Sequence, residues 1–559
     1  MSAIAARQRD AMSQQLLADR FDVVVVGGGI TGAGVALDAA SRGLRTAIVD
    51  KGDWASGTSS KSSKLIHGGL RYLQQKEYRL VYENLRERQR LLQNAPHLVS
   101  VMPFLIPLFG KGGVVSKTVA KGYSTALSLY DFTGGLRIGK RHERLSVAQT
   151  IAHMGGLAGD RVVAGFLYYD AQADDARLTL SVIRTAIDHG AVALNYCGVE
   201  ALSKTAAGQI DGVVLEDGNT VRARCVVNAA GIWGEQIMQM DGTVSHHLRP
   251  AKGIHITVPA AKIRADIAAV VPVRKDRRSV FVVPARDAPG ELIYVGTTDT
   301  EYQGPLDDPV CTADDVQYLL DAMNSWLAEP LTSDDVVGTW AGLRPLLEGA
   351  RSDRTADLSR RHAVVTSPSG LVSILGGKLT TYRAMAEDTV DAVVGQLGER
   401  KRRCRTRKLA LRGAAGLASL QAPGTGRRFG FDDAQFAVLL GRHGSEALAI
   451  ADLVRGDSSL AEPLVPGLGY LRAEAVHAVR HEQARTLTDV LTRRTRALLY
   501  ARDASDAVAG DVAALIAPEL SWSPAEQDRQ VAWFRAAVSR ELRSEHAGLA
   551  QPAGSAATP

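Results

Sequence analysis

The chain has 559 residues, 45% of them hydrophobic and 23% charged, with 54 glycines. That composition excludes a fibrous or wholly disordered protein, and the length suggests about three or four domains. The net charge of +6 and pI of about 9.0 favour anionic partners such as phosphate esters or acidic lipid. Only 5% of residues are aromatic, too few for a platform on which bases stack, so no nucleic acid is expected.

Cys197, Cys225, Cys311 and Cys404 form no CxxC pair. Neither a zinc cluster nor a redox dithiol is written here, no metal is expected, and scattered thiols suit a reducing cytoplasm. Residues 1–20 lack the apolar core of a signal peptide, and no run of about 20 apolar residues could span a bilayer. Any membrane contact is therefore expected from the side.

Regular structure is expected from Phe21. Phe21-Asp22-Val23-Val24-Val25-Val26 reads as a strand buried on both faces, residues 33–42 as an Ala-rich helix stopped by Gly43, and residues 45–50 as a second strand. Residues 75–93 predict a solvent-facing helix, 178–189 another, and 221–230 a strand. Apolar and polar residues alternate through 250–300, as in Gly253-Ile254-His255-Ile256-Thr257-Val258, which predicts a separate antiparallel sheet. From 400 to 545 the chain is Ala/Leu/Arg-rich with helical spacing, and Val476, Val479, Leu487, Val490 and Leu491 line one face. Residues 546–559 read as a disordered tail.

Gly27, Gly29 and Gly32 make a GxGxxG between strand and helix, the setting in which the pattern marks a dinucleotide loop. The first glycine serves the tight turn, the second admits a pyrophosphate, and the third lets helix pack on strand. Ile30 and Thr31 open the helix whose N-terminus faces the phosphates. Asp50, at the end of the second strand, is placed to accept both hydroxyls of an adenosine ribose. Two further turns of small residues follow, Asn228-Ala229-Ala230-Gly231 and Gly376-Gly377-Lys378-Leu379-Thr380. With the polar stretch Thr58-Ser59-Ser60-Lys61-Ser62-Ser63-Lys64-Leu65, they would line one long cofactor.

These segments carry a resemblance. Gly27-Gly28-Gly29-Ile30-Thr31-Gly32-Ala33-Gly34 and Gly376-Gly377-Lys378-Leu379-Thr380-Thr381-Tyr382-Arg383 are similar to the two signatures of the FAD-dependent glycerol-3-phosphate dehydrogenases. Between them Ser63-Lys64-Leu65-Ile66-His67-Gly68-Gly69-Leu70-Arg71-Tyr72, Asp174-Asp175-Ala176-Arg177-Leu178, Gly296-Thr297-Thr298-Asp299 and Gly342-Leu343-Arg344-Pro345-Leu346 match in order. The resemblance runs from 21 to 495. It implies an α/β and α+β protein with a glutathione-reductase-type FAD-binding Rossmann domain from 20–95, 160–240 and 335–398. An antiparallel substrate domain would come from 96–159 and 241–334, and a helical C-terminal domain from 400–545. The implied reaction is oxidation of sn-glycerol 3-phosphate to dihydroxyacetone phosphate by hydride transfer from C2 to FAD N5, with electrons passed to a membrane quinone. The rival readings are an oxidase that makes hydrogen peroxide and, more distantly, a non-enzymatic flavoprotein or nucleic-acid binder.

The implied cofactor residues are Gly27, Gly29, Ile30, Thr31, Gly32, Asp50, Lys51, Thr58, Ser59, Ser60, Ser63, Leu65, Ala230, Gly231, Gly377, Lys378, Leu379 and Thr380. A phosphate monoester needs fixed cations, and the resemblance brings Arg71, Arg344 and Arg360 to the flavin, with Tyr72 and Lys378 beside them. Loss of the hydroxyl proton calls for a neutral imidazole, and both His67 and His255 are candidates. The basic run at 400–408 reads as a solvated linker. The stretch 111–144 sets seven cations against Asp131 and Glu143 with Val114, Val115, Leu127, Leu129 and Tyr130 between; it suits an anionic lipid surface on the cytoplasmic side of a membrane. The oligomeric state, a homodimer included, stays open.

Overall fold

The computed structural model describes residues 3–70, 77–110, 117–134, 138–242, 248–274, 278–286, 288, 290–347, 362–399 and 402–546. It begins with a helix the sequence does not announce, α1 (Ala3–Ala18). Its apolar residues lack helical spacing, and among its described side chains Leu16 and Met12 join the adjoining core, so tertiary packing decides the conformation.

The βαβ unit follows as β1 (Val23–Val26), α2 (Ile30–Ser41) and β2 (Thr46–Val49). Later segments add α3 (Asp175–Asp188), β3 (Val192–Leu194), β4 (Val226–Asn228), β5 (His362–Thr366), β6 (Leu371–Gly376) and α4 (Tyr382–Gln396). The six strands lie in the order β5-β6-β4-β1-β2-β3, parallel throughout except β5. All four valines of β1 are buried, Val23 and Val25 under α2 and α4, Val24 and Val26 on the face that α1 covers. From β1 the chain steps to β2 on one side and returns to β4 on the other. The crevice at this reversal, outside the carboxyl ends of the strands, is where such sheets bind ligands.

The expected strand at 221–230 is two strands. Thr220–Ala223 belongs to a small sheet with Arg20–Phe21, Ile210–Leu215 and Val199–Lys204, and the chain then turns into β4. The alternating residues at 250–300 do form antiparallel strands, Leu248–Pro259, Ser279–Pro284 and Leu292–Gly296, within a ten-stranded sheet. Val162–Ala173 and Gly338–Leu347 pair in that same sheet. The domain boundaries expected at 160 and 335 therefore fall just before strands of the substrate sheet. Both strands precede a segment that returns the chain to the parallel sheet. The helix Tyr78–Asn94 is amphipathic rather than solvent-facing, with Val81, Leu85, Arg88 and Leu91 buried; α3 is buried along almost its whole length.

The C-terminal region is helical, including α5 (Arg472–Glu482) and α6 (Ala509–Leu520). It docks on the cofactor domain through buried ion pairs. Arg177 of α3 meets Glu482 in two 2.7 Å bonds. Arg493 and Arg494, in the π-helical turn Asp489–Arg494, both bind Asp53 just beyond β2. The two arginines hold the Asp53 carboxyl down at about 2, against the burial that would raise it. The basic run is only partly a solvated linker: Arg402 donates to Gly43 O at 2.8 Å and Arg407 pairs with Glu387, strapping α2 and α4 together. The tail from 547 lies outside the described residues.

Candidate functional site

Four strand ends meet at the crevice: Gly27 after β1, Asp50 after β2, Ala229 and Ala230 after β4, and Gly376 and Gly377 from β6. They line one cavity together with Ile30, Thr31, Thr58 and Ser59. Three glycines of the loop are required for three different reasons. Gly27 has φ +112°, and a Cβ there would lie 2.6 Å from Ala229 O. A Cβ on Gly32 would stand 1.8 Å from Gly27 O, so only glycine lets the helix seat on the turn. Gly29 has an ordinary φ of −75°, and a Cβ there would meet only the Ser59 Oγ, at 3.1 Å. The protein itself does not need glycine at 29; a ligand's close approach does. The residues there fit a pyrophosphate at the α2 N-terminus.

Asp50, expected to accept from an adenosine ribose, lines the same cavity. Its Oδ2 accepts from Gly28 N at 2.5 Å and its Oδ1 from Gly52 N at 2.8 Å. Burial outweighs these donors and pushes the carboxyl up to about 6. Ribose hydroxyls donate best to the ionised form, and that form is lost from the cofactor-free protein as pH falls through about 6. FAD affinity should therefore be flat above that pH and weaken below it, approaching about tenfold per unit for one linked proton. Fluorescence titration of FAD between pH 5 and 8 checks this; the slope should vanish in Asp50→Asn.

A second cavity shares Ile30, Thr58, Ser59, Pro345, Gly377, Lys378 and Leu379 with the first and turns toward the antiparallel sheet. Ser63, Leu65, His67, His255, Arg344 and Thr380 also line it. Arg344 is held in a fixed pose, its Nη1 3.2 Å from Asp299 Oδ1 and its Nη2 donating to Thr297 Oγ1 at 2.9 Å. Gly253 makes room for it, since a Cβ there would be 2.3 Å from Nη2. His255, 1% exposed, stacks on Trp340 with ring centroids 4.6 Å apart, and its Nε2 lies 2.9 Å from Ser63 Oγ. Burial first, then the charges of Lys64 and Arg344, hold it well below the ordinary histidine range, so the ring is neutral. Gly296 keeps the ring in place, because a Cβ there would come within 2.1 Å of His255 Cδ2. His67 is half-buried on the same cavity, its ring centroid 6.4 Å from that of Phe281. The two histidines that the sequence left unresolved thus share one chamber.

Lys51, Ala230 and Gly231 line the first cavity. Gly32 and Ser60 line neither: Gly32 acts through helix packing, and the Ser60 carbonyl instead accepts from Lys64 Nζ. Arg71, Tyr72 and Arg360 lie outside the described residues. The sequence did not single out Trp233, which covers Gly57 and takes the Lys51 ammonium over its ring at 4.6 Å. Nor did it single out Trp340, the platform under His255. Both tryptophans abut motifs that were read, Gly231 and Gly342-Leu343-Arg344, and an indole within two residues of a motif glycine was the available signal.

Similarity searches agree with this geometry. The family of FAD-dependent oxidoreductases matches residues 22–383, and the C-terminal domain of alpha-glycerophosphate oxidase matches 404–527. Glycerol-3-phosphate dehydrogenase 2 of Mycobacterium tuberculosis is 39% identical over 555 residues, covering 97% of this chain and 92% of the relative. The probable mitochondrial glycerol-3-phosphate dehydrogenase of Caenorhabditis elegans is 35% identical, covering 97% of this chain and 76% of its own. The glycerol-3-phosphate dehydrogenase of Bacillus halodurans, solved in complex with FAD, superposes with a TM-score of 0.77 at 32% identity, covering 98% of this chain and 99% of that one. The two-cavity cradle, the domain matches and this full-length likeness agree: the chain belongs to the family of FAD-dependent glycerol-3-phosphate dehydrogenases.

Proposed function

We propose that the protein oxidises sn-glycerol 3-phosphate to dihydroxyacetone phosphate and passes the electrons to a membrane quinone. The observation that carries this reading is the second cavity, which joins a fixed guanidinium, a lysine and a buried neutral imidazole directly to the cofactor channel. FAD bound in the first cavity supplies the acceptor for the hydride lost from C2. Arg344 forms a two-pronged seat for the phosphate, already aimed by Asp299 and Thr297. Lys378, at the N-terminus of the turn Leu379–Thr381 that leads into α4, adds positive charge where both cavities meet. His255 takes the hydroxyl proton: it is neutral beforehand, and the negative charge that substrate brings into a dry chamber favours its protonated form. Arg71, Tyr72 and Arg360 would complete the phosphate clamp.

Anaerobic addition of glycerol 3-phosphate should bleach the flavin, whereas glycerol should not. Removing one charge-assisted contact costs about 1.5–3 kcal/mol, roughly ten- to a hundredfold in binding. Arg344→Ala should therefore need that much more substrate for half-bleaching while retaining FAD. Unchanged half-bleaching would take Arg344 out of the site.

The match of 404–527 to an oxidase domain keeps the second reading, oxygen reduction, alive. Peroxide yield measured against quinone-analogue reduction separates the two. Among the described residues no helix is long and apolar enough to cross a membrane, so quinone use implies peripheral attachment from the cytoplasmic side. Leu127 and Tyr130 are buried core residues and not lipid contacts, because one face of helix Lys117–Thr133 packs on the substrate sheet. Its other face presents Leu129 and Phe132, the latter 80% exposed; Lys111, Val114, Val115 and Arg137 lie outside the described residues. Co-sedimentation with anionic vesicles at low salt should drop sharply in a Leu129→Ser/Phe132→Ser/Lys140→Glu/Arg141→Glu variant. Wild-type sedimentation by that variant would place the contact elsewhere.

A further inference from the structure

Behind the cofactor domain lies a further opening that the proposed reaction does not use. It is bounded by α1, α3 and the ends of α5 and α6, with the half-buried Met12, Ile187 and Leu520 forming an apolar wall over the buried Leu180, Ile183 and Val479. Five arginines face it. Three are matched by carboxylates: Arg184 by Glu446 and Glu482, Arg412 by Glu446 and Asp188, and Arg480 by Glu519. Arg9 and Arg485 are different. Arg9 donates only to neutral acceptors, Asn195 Oδ1 at 2.8 Å and Asn195 O at 2.6 Å, and among the described residues neither arginine makes an ion pair. They are near enough to repel: burial and then the charge of Arg485 lower the Arg9 guanidinium to about 10.

Asp10 is the one lining carboxylate that pairs with no arginine among the described residues, so two guanidiniums on one opening leave net positive charge that calls for an anion, and their planar forks match phosphate oxygens. We propose that this cavity is a second anion site, which seats the phosphate of a small phosphate-bearing molecule between Arg9 and Arg485. Any organic part would lie against the apolar wall. The site is wired to the dinucleotide loop. Asn195, which holds Arg9, also donates to Asp53 Oδ1 at 2.9 Å and to Gln483 O at 3.0 Å. Gln483 Oε1 in turn accepts from Trp54 Nε1 at 2.8 Å. Trp54 packs so closely under the loop that a Cβ on Gly28 would lie 2.2 Å from its ring, and Ala55 N donates to Gly28 O at 3.1 Å. A ligand that orders Arg9 and Gln483 therefore stiffens the floor on which the cofactor loop rests, and the holoenzyme should release FAD more slowly.

The test uses FAD-loaded protein and two probes, inorganic phosphate and phenyl phosphate. Titration calorimetry should show a binding event in wild type whose affinity falls about tenfold or more in both Arg485→Gln and Arg9→Gln, as expected for loss of one charge-assisted contact. Arg485 is exposed, so its replacement leaves the fold intact even if Arg9→Gln does not. Tighter binding of phenyl phosphate places an organic group on the apolar wall; equal binding assigns recognition to phosphate alone, and either result supports the site. In the same samples the probe should slow FAD release, followed by the return of free-flavin fluorescence, by about fivefold in wild type and not in the variants. The proposal is overturned if no probe binds wild type at millimolar concentration, or if both variants bind and release FAD as wild type does.

Discussion

Gly29→Val should yield a folded, colourless protein. A side chain at 29 suits the backbone, since φ is −75°, and the nearest atom to its Cβ, Ser59 Oγ at 3.1 Å, need give only a few tenths of an ångström while keeping its bond from Ile30 N. The valine methyls would instead fill the space that a pyrophosphate must enter, so FAD binding should be lost altogether while the melting temperature stays close to that of cofactor-free wild type. Gly32→Val makes the contrast. Its Cβ would be driven to 1.8 Å from Gly27 O, a backbone collision with no rotamer to relieve it, and the first βαβ unit should fail to form. Comparing flavin absorbance and thermal melts of the two variants separates ligand space from structural space. A yellow Gly29→Val protein with stoichiometric FAD would move the cofactor away from this loop.

Glu482→Ala should detach the C-terminal domain. The carboxylate accepts two bonds from Arg177, lies 3.5 Å from Arg184 Nη1 and 3.6 Å from His477 Nε2, and is 2% exposed. Breaking a buried pair by removing one partner costs about 3–5 kcal/mol, because the remaining charge is stranded away from water. That is a large part of a typical stability of about 5–15 kcal/mol. Melting should split or fall by roughly 10 °C, and proteases should cut near 400–408. The neighbouring arginine charges hold the Glu482 carboxyl well below its usual range. Its folded value is therefore depressed, so its contribution is complete above the unfolded carboxyl pKa of about 4.3 and is lost only as pH falls further. Between pH 5 and 8 domain docking should be insensitive to this group. A single melt within about 1 °C of wild type, well inside the shift expected for such a loss, would show that the pair contributes little.

The cofactor channel was legible because its parts are local. Strand, glycine turn and helix follow one another within residues 23–41, and the turns at 228–231 and 376–380 announce themselves by composition. The substrate chamber was legible only in pieces: Arg344 and His255 could be named, but their supports are side chains far off in sequence, Trp340 and Ser63 for His255, Asp299 and Thr297 for Arg344. Nothing in a periodicity records such pairings. The break at Arg224 escaped notice because both halves of 220–228 have strand-like residues, and only pairing with different neighbours separates them. The helix α1 escaped because its sequence lacks an apolar stripe. Leu127 and Tyr130 were taken for surface residues because a helix that borders lipid and one that borders a core can carry the same residues on opposite faces.

The order of the parallel sheet has a temporal consequence. Val26 of β1 is buried between β2, which follows within about twenty residues, and β4, which itself leans on Leu371–Gly376 of β6. During synthesis at about 5–20 residues per second, β6 emerges roughly 20–70 s after β1. For roughly 10–40 s, until β4 follows about 200 residues later, the nascent chain carries a four-valine strand with one edge unsatisfied, and until β6 emerges the channel lacks the wall that Gly376 and Gly377 provide. FAD therefore has no complete receptor until more than two-thirds of the polypeptide has left the ribosome. Starving cells of riboflavin should accordingly leave the rate of chain completion untouched and act on the finished protein, as accumulation of a loosely closed, protease-sensitive species.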